Sequence, residues 1–303
     1  MGHRLVASVI TLLGVAFIVV ALVRLLPGDP ARVIAGLQAG QEEVDRIRAT
    51  LGLDRPLLVQ YGLFLEDLVH GDMGESARTN NSVVSEILTR LPFTLELAFA
   101  GTAIGAAVGI LMGVAAATRR ATWVDHLTST VAVIGVSIPV YWLGILLIIL
   151  FAVNLQWLPA AGAEHLSSLI LPSFTIGMFS VGLVSRMTRA NLLDVLGQDY
   201  VRTAHAKGLT DRFVIYKHAL RNAFIPVLTV IGLQFGTLLG GAVLTESVFA
   251  WPGIGRLLVD SIFARDFPMI QGIVLTYATM FVVVNVITDL LYTVVDPRVR
   301  LYG

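Results

Sequence analysis

Hydrophobic positions along the chain gather in blocks longer than an ordinary soluble helix needs. Nearly unbroken apolar stretches cover 5–26, 95–118, 131–153, 169–187, 224–244 and 270–295. Each is long enough to cross a hydrocarbon core of about 30 Å. The pattern predicts an all-α integral membrane protein with six transmembrane helices. The first block follows His3 and Arg4 and superficially looks like a secretion signal, but it lacks a small-residue cleavage site and is too long for such a core. It is read as a retained first span.

Between the first and second blocks lie about sixty residues, 27–92, with helical amphipathic periods at 42–51 and 57–69. They predict a small helical insertion outside the cytoplasm. The turn sequences Pro27-Gly28-Asp29-Pro30 and Gly71-Asp72-Met73-Gly74 bound it. The expected organisation is therefore 1–93 for the first helix and insertion, 94–295 for a membrane core containing a loop at 188–222, and 296–303 for a tail.

Charge placement supplies the orientation. With six crossings both termini share a face, and that face carries Arg4, Arg119, Arg120, Arg186, Arg189, Arg202, Lys207, Arg212, Lys217, Arg221, Arg298 and Arg300. Against these twelve cations stand five acids, Asp125, Asp194, Asp199, Asp211 and Asp296, a balance of +7. The opposite face holds nine basic and fifteen acidic residues, or −6, with Asp289 left inside the last span. The positive face is expected to be cytoplasmic.

Composition agrees with a bilayer protein: 56% hydrophobic and 14% charged residues, with a mean hydropathy of +0.80. The formal charge is zero and gives no indication of a nucleic-acid partner. There is no cysteine, which excludes disulfides, thiolate metal sites and cysteine nucleophiles. The six histidines, His3, His70, His126, His165, His205 and His218, show no paired ligand spacing, so no metal site is expected. No phosphate-cradling Gly-x-x-x-x-Gly-Lys-Ser/Thr loop occurs, and the only lysines are Lys207 and Lys217. No catalytic residues are assigned.

Within the spans, Gly101, Gly105, Gly109 and Gly113 recur every fourth residue and predict one close-packing helix face. Pro139 and Pro226 mark expected kinks and candidate gates. Asp289 is expected to face the protein interior rather than lipid, in a structural role. Trp251-Pro252-Gly253-Ile254-Gly255, between the last two spans, fits either a plug or docking element or a re-entrant turn packed on neighbouring helices.

The most informative stretch is 199–222. Asp199, Tyr200, Val201, Arg202, Thr203, Ala204, His205 and Ala206 read as a short helix, with Asp199 as N-cap and Gly208 as the residue past its end. A second helix starts from Thr210 and runs through Phe213, Ile215 and Tyr216 toward Asn222. Tyr200, Val201, Ala204 and Leu209 form an apolar strip flanked by Arg202, Lys207 and Arg212. Such a helix suits a groove on a partner protein or an anionic membrane surface, and composition does not separate the two.

This stretch resembles the EAA loop of permease subunits in bacterial ATP-binding-cassette importers, specifically the dipeptide and oligopeptide branch. The general family's Glu-Ala-Ala, Gly and Ile-x-Leu-Pro places hold Arg202-Thr203-Ala204, Gly208 and His218-Ala219-Leu220-Arg221 here. Those are departures from the general pattern. Asp-Tyr-Val-Arg-Thr-Ala-x-Ala-Lys-Gly-Leu, followed by Lys-His-Ala-Leu-Arg-Asn-Ala, is similar to the peptide branch's own form. The resemblance extends to Leu26-Pro27-Gly28-Asp29-Pro30, Leu51-Gly52-Leu53-Asp54-Arg55-Pro56, Gly71-Asp72-Met73-Gly74, Arg90-Leu91-Pro92, Ser137-Ile138-Pro139, Trp251-Pro252-Gly253-Ile254-Gly255-Arg256 and Asp296-Pro297-Arg298.

The resemblance implies a type I importer permease fold in the bacterial inner membrane, with both termini cytoplasmic. It also implies a second homologous permease, two cytoplasmic ATPase subunits that hold ATP and magnesium, an extracytoplasmic binding protein and a peptide substrate of two to a few residues. This chain itself would hold no cofactor. The coupling residues implied are Asp199, Tyr200, Val201, Arg202, Thr203, Ala204, Lys207, Gly208, Leu209 and Arg212. Pro139, Pro226, Trp251, Pro252 and Gly253 would be gate or binding-protein contacts. Nickel and glutathione importers are similar enough to leave the substrate open. From other classes, an ion-gradient carrier is disfavoured because the spans lack a relay of ionisable groups, and a pore or sensor subunit is the further alternative.

Overall fold

The structure, a computed structural model, describes residues 2–25, 30–35, 39–50 and 52–295. Pro27-Gly28-Asp29 and Asp296-Pro297-Arg298, together with the tail 296–303, lie outside the described residues, as does the side chain of Asp289. Among the described residues the regular structure is helical, with one isolated bridge between Glu75 and Ser82. The helices are α1 (Gly2–Leu25), α2 (Pro30–Ala35), α3 (Gln41–Thr50), α4 (Leu57–Val69), α5 (Val83–Thr118), α6 (Trp123–Ser137), α7 (Val140–Leu147), α8 (Ile170–Leu196), α9 (Asp199–Ala206), α10 (Asp211–Phe213), α11 (Leu220–Val248), α12 (Ile254–Ala264) and α13 (Phe267–Val295).

Four helical stretches are long and apolar enough to cross a membrane: Val83–Thr118, Leu166–Leu196, Asp211–Val248 and Phe267–Thr288. A fifth apolar stretch is a pair of helices with a sharp bend between them. Trp123–Ser137 and Val140–Asn154 meet at 104°, so the expected single span 131–153 is two helices. The cause is local: Pro139 has no N–H to give and holds Ile138 in extended backbone, with ψ of 127° and 129° at the two residues. The other marked proline behaves differently, since Pro226 lies inside an uninterrupted α11. The shorter apolar stretch Val6–Leu22 of α1 stands where the first span is expected.

The second crossing helix also starts earlier than the pattern suggests, at Val83 rather than after Pro92, and carries Pro92 inside it. Tertiary packing overrides the proline. Val83 and Ile87 are buried with Ile254, Leu257, Met269 and Ile273 in one core.

The described residues divide into two compact units, one formed by those up to Thr94 with 252–282 and the other by 95–251 with 283–295. In the first, the Tyr61 hydroxyl donates to the Leu13 carbonyl (3.0 Å) and its ring meets Phe17 edge-on, which joins α4 to α1. Gly71 and Gly74 take left-handed backbone (φ 78° and 82°), and Asp72 accepts from the Gly74 N–H (2.8 Å), as the turn reading expects. Two long-range ties close this unit. The Ile254 N–H donates to the buried Thr94 hydroxyl (2.9 Å). The buried Asp266 carboxylate accepts from the Ser76 hydroxyl and from the N–H groups of Ala77 (3.1 Å) and Met269 (3.3 Å).

In the second unit the glycine ridge of α5 lies against α8. A Cβ on Gly101, Gly105, Gly109 or Gly113 would fall 2.4–2.8 Å from Ile176, Ser180, Val184 or Thr188, closer than side chains approach. On α8's other flank, Gly182 touches the Ala132 carbonyl of α6 in the same manner, 2.5 Å from its would-be Cβ. Arg189 clamps Asp125 with two bonds, 2.7 and 2.8 Å, and ties α6 to α8.

Candidate functional site: the loop between α8 and α11

α8 ends at Leu196, and after Gly197 the backbone turns extended at Gln198 (ψ 151°), which is the N-cap of α9. Asp199 is therefore already helical and is not the cap, a correction of one residue. A cap must hold non-helical backbone, and that conformation falls on Gln198. Asp199 in the first turn still complements the helix dipole and reaches Arg202 at 3.6 Å, an exposed pair of small energetic weight.

Burial divides α9 into two faces. Val201 and Ala204 are 2% and 8% exposed and pack with Val114 and Ala117 of α5, Leu192 and Val195 of α8, and Val214, Ala219 and Ala223. The expected outward apolar strip is thus half internal: Val201 and Ala204 seat the helix. Arg202, Thr203, His205, Lys207, Leu209 and Arg212 face solvent, and Tyr200 stays partly open.

The end of α9 is a Schellman closure. The Gly208 N–H donates to the His205 carbonyl (2.9 Å) and the Leu209 N–H to that of Ala204 (3.4 Å), with Gly208 at φ +79°. Nothing lies within 4 Å of where a Gly208 Cβ would point, so its requirement within this chain is conformational rather than spatial. His205 faces Asp211 across the turn at 3.3 Å. Thr210 caps the next helix, as its sequence suggests.

From there the backbone does not pause. α10 runs into a π turn, Val214–Ala219, and then into α11, so the loop is the root of a crossing helix. Lys217 sits over the Phe213 ring (4.7 Å), and the Tyr200 hydroxyl accepts from Asn222 (2.8 Å). Phe213 and Tyr216, read from sequence as helix-forming positions, are exposed at 41% and 60% and add an aromatic edge to the outward surface. Tyr216 falls inside the π turn, which departs from the α register that apolar spacing assumes.

The candidate gate residues do not form one cluster. Pro139 marks the break before α7, whose Gly144 contacts Val248 and Phe249 at the end of α11. Trp251 is 2% exposed, and its N–H closes on the Glu246 carbonyl (2.8 Å). Its indole offers no outward surface, which agrees with a packed turn. Gly253 is buried and caps α12, while Pro252 is half-buried. No group of three metal-ligating side chains occurs among the described residues.

Residues 109–301 match the family model described as the inner membrane component of binding-protein-dependent transport systems, and 1–98 match the model of that component's N-terminal part. The chain belongs to this permease family. A putative peptide transport system permease protein of Brucella abortus is 47% identical to it over 98% of this chain and 97% of its own. The glutathione transport system permease protein GsiC of Salmonella typhimurium is 46% identical over the same shares. The dipeptide transport system permease protein DppB of Alkalihalophilus pseudofirmus is 40% identical over 98% of each chain. Among solved structures, an inward-facing MetNI methionine transporter chain superposes with a TM-score of 0.59 at 18% identity, covering 70% of this permease and 96% of that chain. That likeness establishes the type I importer permease fold, in which the loop between α8 and α11 lies within the region of the family match.

Proposed function

We propose that this permease forms half of the translocation pathway of an ATP-driven importer of dipeptides and short oligopeptides, with six crossings and both termini in the cytoplasm. Two ATPase subunits, holding ATP and magnesium, dock on the outward face of α9 and its continuation. A binding protein delivers substrate from the other side, and a second homologous permease completes the path.

One arrangement carries the coupling half of this reading: α9 is seated on α5 and α8 by Val201 and Ala204, and past the short turn 207–210 the chain runs through α10 and the π turn into α11 without a break. A push on Tyr200, Arg202, Leu209 or Arg212 is therefore transmitted to a crossing helix rather than absorbed by a slack loop. The basic outward face suits an acidic-rimmed groove. The peptide half rests on full-length relatives named for peptides, dipeptides and glutathione. Glutathione is itself a small peptide and is the second substrate to test.

Purification in mild detergent, with mass spectrometry of accompanying subunits, tests the assembly. ATPase activity of that complex in proteoliposomes, with binding protein and dipeptides, tripeptides or glutathione, tests the substrate. Uptake driven by a proton or sodium gradient without ATP would overturn the proposal.

A further inference from the structure

The turn joining α5 to α6 presents two arginines and a tryptophan at the edge of the membrane. α5, long and apolar enough to cross a membrane, ends at Thr118, and α6 opens the bent apolar pair at Trp123. Residues 119–122 therefore stand where hydrocarbon gives way to headgroups. Arg119 and Arg120 are exposed, and among the described residues no acidic side chain pairs with either guanidinium. Trp123 is 73% exposed, and Leu127, one helical turn on along the same face, is exposed too.

This turn is rigid. Ala121 is held in left-handed backbone (φ +59°) although it is not glycine. Its N–H donates to Asp125 (3.1 Å), which Arg189 grips from α8. The Thr122 hydroxyl donates back to the Arg119 carbonyl (2.6 Å). The arginine pair thus projects from a fixed platform rather than a loose loop.

We propose that this platform binds the headgroup phosphate of an anionic phospholipid. Arg119 and Arg120 hold the phosphate oxygens, and Trp123 and Leu127 lie along the glycerol and upper acyl chain. Guanidinium groups match phosphate geometry, and tryptophan favours the interfacial layer. The apolar pair leads down α6 into hydrocarbon, a surface that a soluble partner does not cover. Two uncompensated cations select an anionic over a zwitterionic headgroup. The inference requires only that α5 and α6 enter a membrane, so it stands apart from the coupling and substrate assignments.

Native mass spectrometry of the chain, purified with the subunits that accompany it, tests the site using added phosphatidylglycerol and phosphatidylcholine. Wild type should retain phosphatidylglycerol preferentially, and retention should fall about fivefold for each arginine removed in R119Q, R120Q and the double variant. R265Q, which removes an exposed cation from the turn between α12 and α13, should retain lipid as wild type does. All variants should elute as one species on size exclusion, since each change is at an exposed side chain. Equal retention of the two lipids by wild type, or unchanged retention in the double variant, would overturn the proposal. Loss of an accompanying subunit with lipid retention unchanged would also overturn it and make the platform a protein contact.

Discussion

The amide of Asn222, at the start of α11, donates to the hydroxyl of Tyr200 in the first turn of α9 at 2.8 Å. It is a side-chain strut across the angle between the loop helix and the crossing helix. Tyr200→Phe removes the acceptor with little other change. A net contribution of about 1 kcal/mol is typical of such a bond. Substrate-stimulated ATPase activity of the reconstituted complex should fall severalfold while the thermal midpoint drops by only about 2 °C. Asn222→Ala should give the same loss, and the double variant no more than either single one. Independent, additive losses would mean that the two residues act separately.

Gly208 permits a sharper test. Its left-handed backbone costs a residue with a Cβ about 1–2 kcal/mol, and asparagine tolerates that conformation best. Space is open around it within the chain. Gly208→Asn should keep most coupling, Gly208→Ala should lose part, and Gly208→Asp should abolish it, because asparagine and aspartate differ only in charge toward the docked partner. Arg202→Glu, on the exposed flank, should weaken ATPase co-purification more gently. Wild-type stimulated ATPase rates in Gly208→Asp would defeat the docking geometry.

Asp125 and Arg189 make the second kind of prediction, one of stability. Asp125→Asn leaves a partly buried guanidinium facing a neutral amide, at a cost of about 2 kcal/mol. The thermal midpoint of the purified permease should drop by several degrees. Replacing both residues with apolar side chains of similar size should recover much of the loss, as buried ion pairs often allow. A double replacement worse than the single one would indicate that the pair stabilises by more than mutual neutralisation.

The α5 ridge predicts a contrast between glycines of one protein. Gly113→Ala places a methyl 2.5 Å from Thr188 and 2.6 Å from the Ser185 carbonyl, while Gly240→Ala, on α11, meets nothing within 4 Å. The first should destabilise by about 1–3 kcal/mol through forced separation of α5 and α8. The second should be neutral or slightly stabilising. Thermal denaturation followed by fluorescence distinguishes them directly.

Much of this architecture is visible in the sequence, because lipid imposes long apolar blocks and close helix packing imposes small residues at fixed spacing. The ridge from Gly101 to Gly113 and the left-handed Gly208 could be read one residue at a time. What stayed hidden depends on distant parts of the chain. Whether Val201 and Ala204 point outward is decided by Val114 and Ala117 of α5, far away in sequence. Pro139 and Pro226 look alike in sequence, yet one stands at a 104° bend between two helices and the other sits in a continuous helix. Buried Ala223 and Val227, flanking Pro226, hold α11 in place. Tyr216 is exposed within a π turn that apolar periodicity cannot reveal.

The bond between Ser76 and Asp266 spans 190 positions of chain, and this sets a timetable for biogenesis. At roughly 5–20 residues per second, the ribosome needs roughly 10 to 40 s after making Ser76 to supply its partner. Through that interval the buried faces of Val83, Ile87 and Thr94 stand open in the membrane or at its rim. A nascent chain halted before residue 252 can complete the glycine-ridge packing of α5 on α8, yet it cannot finish the first unit. Such arrested chains are the ones a membrane quality-control protease would meet half-built.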